Sequence, residues 1–236
     1  MSDVQGDTFL QSQALEDLTG AVNYRRWLCS LGAPFFGDDV LEIGSGLGDY
    51  AADWADMGFR VTATEADPGR LAALRKRFDG HERVMVRRLT VPVAATADHS
   101  AVVAYNVLEH IPDDVAALRS FANLARPGGA VVLIVPAFAF AMSEFDRAVG
   151  HQRRYRIPAL ARAMTRAGLS VRRCHYVNGP GLLAWFAVCR VLRSRPKDGP
   201  LLRAYDRFYV PVERRLESRV RMPFGQSVFA VGRVPQ

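Results

Sequence analysis

The sequence predicts an α/β fold, a doubly wound sheet of seven strands, and three observations support this. Short β-rich apolar runs alternate with segments of helical period along most of the 236 residues. The run 130–137, AVVLIVPA, is apolar throughout, as in a strand buried on both faces. The segment 40–50, VLEIGSGLGDY, follows its apolar run with three glycines. Alternating strands and helices form a parallel sheet whose right-handed crossovers cover both faces.

The elements follow one another in a regular order. Residues 8–31 are predicted to form an N-terminal helical cap, since apolar residues recur there at helical spacing. Pro68 suits the first turn of the helix that follows the second strand. A long helical stretch separates the last two strands. The predicted strands are, in order, VLEIG, RVTATEA, RVMVRRL, SAVVAYNVL, AVVLIVPA, LSVRRCHYV and QSVFAVGRV.

We expect a single domain over residues 1–236. In this division residues 38–178 form the ligand-binding core, residues 179–222 a helical lid and residues 223–236 the final strand. Sheets of this kind bind ligands beyond the carboxyl ends of their strands, where the strand order reverses. The functional residues should therefore lie on the loops that follow the strands.

Composition disfavours several classes of protein. No run approaches the roughly 18–20 apolar residues of a membrane span, and the acidic N-terminus lacks the basic and apolar regions of a signal peptide. The three cysteines, Cys29, Cys174 and Cys189, are widely spaced and form no CxxC motif. This pattern predicts reduced thiols in a cytoplasmic protein and gives no sign of a metal site.

The net charge of +7 is unevenly distributed along the chain. Residues 1–139 carry 12 Lys and Arg against 18 Asp and Glu, whereas residues 140–236 carry 19 against 6. This asymmetry indicates that the C-terminal half contacts an anionic partner. The alternative is that the arginines only line solvated faces.

The glycine-rich segment explains why a ligand is expected. Gly44, Gly46 and Gly48 lie in the turn between the first strand and the first helix of the sheet. Bare glycines let a ligand approach the backbone, and N–H groups at a helix start are good donors. A dinucleotide fingerprint, GxGxxG, would need its third glycine at the position of Asp49. The pattern here is instead ExGxGxG, which begins at Glu42.

Three further signals follow in order. Glu65 ends the second strand 21 residues after Gly44, where an acid can accept hydrogen bonds from ribose hydroxyls. The segment 105–111, YNVLEHI, closes the fourth strand, and residues 126–129, RPGG, precede the fifth. Together with the glycines, these signals resemble the class I S-adenosylmethionine-dependent methyltransferases. The resemblance covers residues 38–178 and the final strand. It implies a Rossmann-like fold whose last strand is antiparallel, with S-adenosylmethionine as cofactor.

The resemblance also implies roles for individual residues. The ribose would be bound by Glu65, with Ala66 and Asp67 beside the adenosine, and Asn106 would present its backbone near the amino group of the cofactor. Tyr24, on the N-terminal cap, would roof the cofactor or serve only in packing. The methionine part of the cofactor would be held by Glu42, Gly44, Ser45, Gly46 and Gly48.

The sequence departs from the family at the third strand. Arg87 and Arg88 stand where an acid often binds the adenine amino group. Adenine recognition would then depend on backbone groups near Leu89 and Thr90, or on a side chain that the sequence does not identify.

The acceptor side is expected after strands four and five. Glu109 and His110 would face the reaction space or cap the next helix. The segment 136–156 resembles a bacterial methyltransferase group with a GHxRRY motif. Here His151 would act as general base. Arg153 and Arg154 would grip an anionic group and Tyr155 would line the pocket.

Two alternatives stay open for this acceptor side. The segment 136–156 is instead structural if Asp146 pairs with an arginine and His151 packs on the sheet. Within residues 179–222, where Trp185 is a candidate substrate contact, three interpretations compete: a lid over an apolar substrate, a homodimer interface, or a basic amphipathic patch on an anionic membrane. The membrane interpretation draws on Arg190, Arg193 and Arg195.

These observations predict methyl transfer from S-adenosylmethionine to a small or lipid-like acceptor. Oxygen is favoured because the site offers His and Arg rather than an acidic cage for an amine. An RNA methyltransferase is the first alternative, suggested by the pI of 9.8. Against it, no RNA-binding module and no [ND]PP[YF] motif is present, so no stable nucleic-acid partner is expected. The second alternative is a non-catalytic protein with the S-adenosylmethionine-binding fold, or a dinucleotide-binding protein. Asp49, which stands where the dinucleotide fingerprint needs a glycine, disfavours the dinucleotide.

Overall fold

The computed structural model describes residues 6–17, 19–194 and 198–236, which contain one seven-stranded sheet. Its strand order is β3-β2-β1-β4-β5-β7-β6. The strands are β1 Asp39–Glu42, β2 Arg60–Glu65, β3 Val84–Arg88, β4 His99–Tyr105, β5 Ala125–Pro136, β6 Ser170–Val177 and β7 Ser227–Arg233.

Strands β1 to β5 pair in parallel, and β7 lies antiparallel between β5 and β6. The predicted Rossmann-like, doubly wound sheet with an antiparallel last strand is confirmed. The strand order reverses between β1 and β4, which are adjacent, so the crevice at their carboxyl ends is the expected ligand site.

Ten α-helices lie within the described residues. They are α1 Thr8–Asp17, α2 Val22–Gly32, α3 Asp49–Asp56, α4 Pro68–Arg77, α5 Asp114–Leu124, α6 Glu144–Ala148, α7 Ile157–Arg166, α8 Gly179–Trp185, α9 Pro200–Ala204 and α10 Val210–Glu217. Two π-helical segments, Phe186–Val191 and Tyr205–Tyr209, continue α8 and join α9 to α10. Arg195, one of the arginines singled out in the sequence, lies outside the described residues.

The N-terminal segment forms two helices rather than one. A turn at Thr19 and Gly20 separates α1 from α2, in keeping with the low helix propensity of glycine. Helix α1 has no buried residue, whereas α2 buries Trp27, Leu28 and Cys29 against the sheet. Burial in the hydrophobic core therefore stabilises α2 more than α1.

Hydrophobic clusters cover both faces of the sheet and fix the position of its carboxyl ends. On one face α5 and α7 contribute Phe121 and Leu160. On the other face α2, α3 and α4 contribute Leu28, Trp54 and Leu74. Burying a side chain of this size contributes roughly 1.5–3 kcal/mol. Within the described residues, no helix is both long and apolar enough to cross a membrane.

Candidate active site

The loop of residues 43–48, called the glycine loop below, takes the conformation that its sequence predicts. Gly44, Gly46 and Gly48 have φ angles of 68°, 57° and 87°, the left-handed region that favours glycine. A Cβ at Gly44 would meet Val107 at 2.8 Å, and one at Gly48 would lie 2.5 Å from a ring carbon of Phe78. The glycines therefore serve close packing as well as any approach of a ligand.

Glu42 and Ser45 flank the start of this loop. Glu42 is 2% exposed, and its Oε2 has no hydrogen-bond partner among the described residues. Burial raises the pKa of Glu42 to about 8. Such a carboxylate suits a cationic ligand group, so the site fits the ammonium group of S-adenosylmethionine. Ser45 ties the loop to β2, since its Oγ accepts the N–H of Thr64 at 3.0 Å.

Glu65 fastens the glycine loop from the end of β2. Its Oε2 accepts the N–H of Gly46 at 2.9 Å, and its Oε1 accepts the N–H groups of Ala66 and Asp67 at 3.0 and 2.9 Å. Arg70 donates to Oε1 at 3.2 Å in an ion pair that is almost fully buried. Sequence reasoning missed Arg70, because no residue pattern distinguishes it from the other arginines of α4.

Helix α1 lies against the glycine loop. A Leu15 methyl carbon stands 2.8 Å from where a Cβ of Gly46 would be, and Arg70 donates to the backbone oxygen of Thr8 at 3.4 Å. At the other side, Gln11 donates to the backbone oxygen of Val149 at 2.7 Å. The helix thus bridges the glycine loop and the segment that follows α6.

Tyr24 and Asn106 occupy two more predicted cofactor positions. Burial raises the pKa of Tyr24 to about 12, and its ring meets that of Trp27 edge to face at 6.0 Å. Asn106 follows β4 with an exposed side chain and a φ of 54°, uncommon for a residue other than glycine. This strained conformation lies at the point where the strand order reverses, which is typical of functional sites.

Glu109, His110 and His151 meet beyond β4. Glu109 is fully buried, and neither carboxylate oxygen has a hydrogen-bond partner among the described residues. Nε2 of His151 lies 3.9 Å from Oε1 of Glu109, and the two imidazole rings meet edge to face at 4.6 Å. Burial raises the pKa of Glu109 to about 7. Burial and the neighbouring His151 lower that of His110 to about 3. One potential ligand atom from each lies within 4.8 Å of the others, so the three have the spacing to hold a metal ion.

Asp146 organises the residues around this trio. Its Oδ1 lies 2.8 Å from both Nδ1 of His151 and a guanidinium nitrogen of Arg154, and its Oδ2 accepts the hydroxyl and N–H of Ser143, each at 2.7 Å. Burial opposes ionisation of Asp146, yet the contacts with His151 and Arg154 hold its pKa well below the usual range. We call Glu109, His110, Asp146, His151 and Arg154 the acceptor-side cluster.

The structure places the predicted anion-gripping arginines in other contacts. Arg154 is buried against Asp146, donates to the backbone oxygen of Ala137 at 3.1 Å and stacks 5.0 Å from the ring centre of Trp185. Both terminal nitrogens are engaged, so Arg154 positions Asp146 and, through it, His151, while its buried Nε has no partner among the described residues. The open alternative of an Asp146–arginine pair is thus observed, together with an ordered His151.

Arg153 and Tyr155 point toward the start of α5. Arg153 donates to the backbone oxygens of Ile111 and Pro112 at 3.0 and 2.5 Å, and the hydroxyl of Tyr155 donates to Asp114 at 3.0 Å. The guanidinium of Arg153 and the hydroxyl of Tyr155 are thus both engaged, because α5 begins directly beside the GHxRRY segment. The pocket-lining role of Tyr155 and the anion contact of Arg153 stay predictions, and both side chains would have to give up these contacts to fulfil them.

Two other sequence expectations concern exposed or half-buried residues. Arg87 and Arg88 are exposed on β3, and the N–H of Leu89 is already bonded to the backbone oxygen of Glu65 at 3.4 Å. Trp185 is half-buried against Arg154, and its indole nitrogen is buried without a partner among the described residues. An acceptor group near this nitrogen would find a ready donor.

Residues 41–131 match a family described as a methyltransferase domain. An uncharacterized methyltransferase of Mycobacterium leprae is 34% identical over 109 residues, 45% of this chain and 40% of that protein. A ubiquinone biosynthesis O-methyltransferase of Methylocella silvestris is 33% identical over 153 residues, 58% of this chain and 60% of that protein. The chain spans about half the length of these curated relatives.

Solved structures share the fold over a larger part of the chain. One comes from the complex between the Haloferax volcanii Trm112 methyltransferase activator and a methyltransferase. It has a TM-score of 0.66 at 15% identity and covers 99% of this chain and 100% of that chain. Another is geranyl diphosphate C-methyltransferase from Streptomyces coelicolor, with a TM-score of 0.63 at 14% identity over 88% of this chain and 77% of that chain. At these identities the likeness shows the fold.

Proposed function

Because this chain belongs to the class I S-adenosylmethionine-dependent methyltransferases, we propose that it transfers a methyl group from S-adenosylmethionine to an oxygen atom of a small or lipid-like acceptor. The observation that carries the proposal is the position of His151, which is 13% exposed, with Nδ1 2.8 Å from Asp146 and Nε2 3.9 Å from Glu109 beyond the end of β4. The glycine loop follows β1, the strand next to β4, so cofactor and acceptor sites are adjacent.

The cofactor supplies an electrophilic methyl group when it is bound. The glycine loop would hold its methionine part, with the unpartnered oxygen of Glu42 facing the ammonium group. Glu65 Oε2 accepts one N–H in the structure and keeps a lone pair for a ribose hydroxyl. Asn106 would present its backbone near the amino group, as the family resemblance implies.

His151 is the candidate general base. The Asp146 carboxylate at Nδ1 favours the tautomer with its proton on that nitrogen, which leaves Nε2 free to accept a proton. A hydroxyl acceptor would transfer its proton to Nε2 as the oxygen attacks the methyl group. The nearby Glu109 would stabilise the resulting imidazolium, while Arg154 holds Asp146 in place.

Oxygen is preferred over nitrogen for two reasons. Glu109 is the only carboxylate of the trio Glu109–His110–His151, and this falls short of an acidic cage for an amine. The partial similarity to a ubiquinone biosynthesis O-methyltransferase supports the same choice. A lipid-like acceptor is supported by the apolar and aromatic residues near Trp185, including Phe145 with ring centres 6.1 Å apart.

The test is a methylation assay with phenols, hydroxy acids and isoprenoid alcohols, read out as S-adenosylhomocysteine formed. His151→Ala should lower kcat about 100-fold or more and leave the affinity for S-adenosylhomocysteine unchanged. His81→Ala, on the exposed surface, is the matched control and should change neither. Methylation of RNA but of none of these acceptors would contradict the proposal.

Two results would overturn the role of His151 specifically. One is full activity of His151→Ala toward hydroxyl acceptors. The other is activity that a chelator abolishes and a divalent cation restores. In that case the trio Glu109–His110–His151 would be a metal site, and the cation would replace the base.

A further inference from the structure

The helical segment of residues 200–217 buries two of its acids and exposes several of its large apolar residues. Asp206 and Glu213 are 5% and 3% exposed, whereas Leu201, Phe208 and Val212 are 82%, 68% and 61% exposed. An amphipathic helix on a soluble domain normally does the reverse. The inversion indicates that something other than the protein core receives the apolar face.

The exposed apolar residues form one stripe. Spacings of seven, four and four residues place Leu201, Phe208, Val212 and Leu216 on one side of the helical segment, and Val220 follows in the turn beyond α10. We call them the outward apolar stripe: Leu201, Phe208, Val212, Leu216 and Val220.

Specific contacts fix the inward orientation of the acids. The carboxylate of Asp206 accepts the N–H groups of Asn23 and Tyr24 at 2.9 and 2.8 Å, two otherwise unbonded donors at the start of α2. The hydroxyl of Tyr205 lies 2.8 Å from Oδ1 of Asn178, which follows β6, and 3.2 Å from the carboxylate of Glu213. The segment is therefore held with its acids toward α2, and its apolar stripe necessarily faces outward.

The same outer surface is positively charged. The acids of this segment face inward, and Asp198, just before it, is paired with Arg203 at 2.7 Å. The exposed arginines that remain along and after the segment are Arg207, Arg214, Arg215, Arg219 and Arg221. A second copy of the chain would set these arginines against one another, whereas an anionic lipid surface would match both the charge and the apolar stripe.

A neighbouring segment has the same character. On α8 and the residues that continue it, Leu183, Val191 and Leu192 are 64%, 63% and 71% exposed. Arg190 and Arg193 lie beside them and are exposed as well. Apolar residues among arginines are what helices lying in the interface of an anionic bilayer present.

We propose that the outward apolar stripe and its arginines bind the surface of an anionic lipid bilayer, so that the chain associates peripherally with the membrane. The proposal stands on the orientation of residues 200–220 and is independent of the proposed reaction. Membrane binding is measured without cofactor or acceptor, so either proposal can fail alone.

The experiment is flotation of the purified protein with phosphatidylcholine vesicles, with and without phosphatidylglycerol. We expect binding to the anionic vesicles, little binding to the neutral ones, and release at high salt. Phe208→Ser should weaken binding about tenfold, because a large apolar side chain no longer enters the interface. Met85→Ser is the control, since Met85 is 52% exposed on β3, at the opposite edge of the sheet, and should bind as the wild type does.

A second pair of variants tests the contribution of the arginine charges to membrane binding. Arg207→Glu with Arg215→Glu should abolish binding to anionic vesicles, whereas Arg75→Glu with Lys76→Glu makes the same charge change on the exposed side of α4 and should preserve it. Circular dichroism checks that each variant is folded. Equal binding of wild type and Phe208→Ser would overturn the proposal. So would a dimer, seen by analytical ultracentrifugation, that Phe208→Ser dissociates, since the stripe would then be a self-interface.

Discussion

The glycine loop and the acceptor-side cluster lie at the ends of adjacent strands, yet they are held by different kinds of contact. In the loop, carboxylate and hydroxyl groups of Glu65 and Ser45 bind backbone N–H groups. In the cluster, side chains of two segments, residues 143–146 and 151–154, bind one another around Asp146. Backbone N–H donors are present at nearly every residue. A side-chain partner, in contrast, requires a suitable residue type that the fold brings into contact.

This difference decides what each region tolerates. The glycines of the loop depend on backbone conformation, so a substitution at Gly46 should affect ligand binding more than folding. Glu65 differs from them, because it forms an almost fully buried ion pair with Arg70. The cluster depends on a buried charge, so the loss of one partner should affect folding first. Variants of neighbouring or similar residues can separate the two effects.

The largest effect is expected at Arg154. Arg154→Met removes a guanidinium that pairs with the fully buried Asp146, and should lower the free energy of unfolding by about 3 kcal/mol. Arg153→Met is the control next to it in sequence, because Arg153 is partly exposed and bonds backbone oxygens near the surface. It should cost less than about 1 kcal/mol.

Urea denaturation measures both variants. Equal losses of unfolding free energy for Arg153→Met and Arg154→Met would contradict the stabilising role given to the Arg154–Asp146 pair. They would show that Ser143 and His151 hold the Asp146 charge without help from the arginine.

The fold and the cofactor side could be predicted from the sequence because their signals are local. The alternation of strands and helices, the apolar fifth strand and the spacing of Gly44, Gly46 and Gly48 each report on nearby backbone. The break at Gly20 was missed, since helical spacing continues across it. The contact of Leu15 with the glycine loop was also missed, because nothing in α1 indicates where that helix lies.

The acceptor side could be predicted by residue type but not by role. The motif GHxRRY drew attention to His151, Arg153, Arg154 and Tyr155. Which of them faces the reaction space depends on Asp114 and Asp146, which lie outside the motif and contact all four side chains directly. The spacing Ser143-x-x-Asp146, typical of a helix capping box, was the one available signal for an ordered carboxylate.

A second comparison tests the loop. Gly46→Val should weaken S-adenosylhomocysteine binding at least about 100-fold, or 2.7 kcal/mol, because the branched side chain meets Leu15 and fills the face of the loop. Gly58 also has a positive φ, 97°, but nothing lies within 4 Å of its Cβ position. Gly58→Val should therefore lose about 1–2 kcal/mol of stability through the same backbone strain as Gly46→Val. Its affinity for S-adenosylhomocysteine should equal that of the wild type. Isothermal titration measures binding. Equal affinity of the two variants would show that the cofactor does not bind at this loop.

Glu65 should show a smaller loss. Glu65→Ala removes the acceptor of the Gly46 N–H and of Arg70, and should weaken S-adenosylhomocysteine binding by about 1–3 kcal/mol. Glu82→Ala, on the exposed surface before β3, is the control and should bind as the wild type does. If calorimetry finds no loss for Glu65→Ala, the ribose is recognised elsewhere, and Glu65 only fastens the loop.

The smallest effect is a pH dependence that arises at Glu42. Burial raises the pKa of this carboxyl to about 8, so much of it is protonated in the free protein at neutral pH. A cationic ammonium group binds the ionised form, so cofactor binding releases a proton. By linkage, affinity then rises with pH up to about 8 and levels off above it. From about pH 7 to 8 the gain is less than tenfold, or about 1 kcal/mol. Titrations with S-adenosylhomocysteine across this range should show the rise in the wild type and a weaker, flat response in Glu42→Gln. A flat response in the wild type would mean that the ammonium group binds away from Glu42.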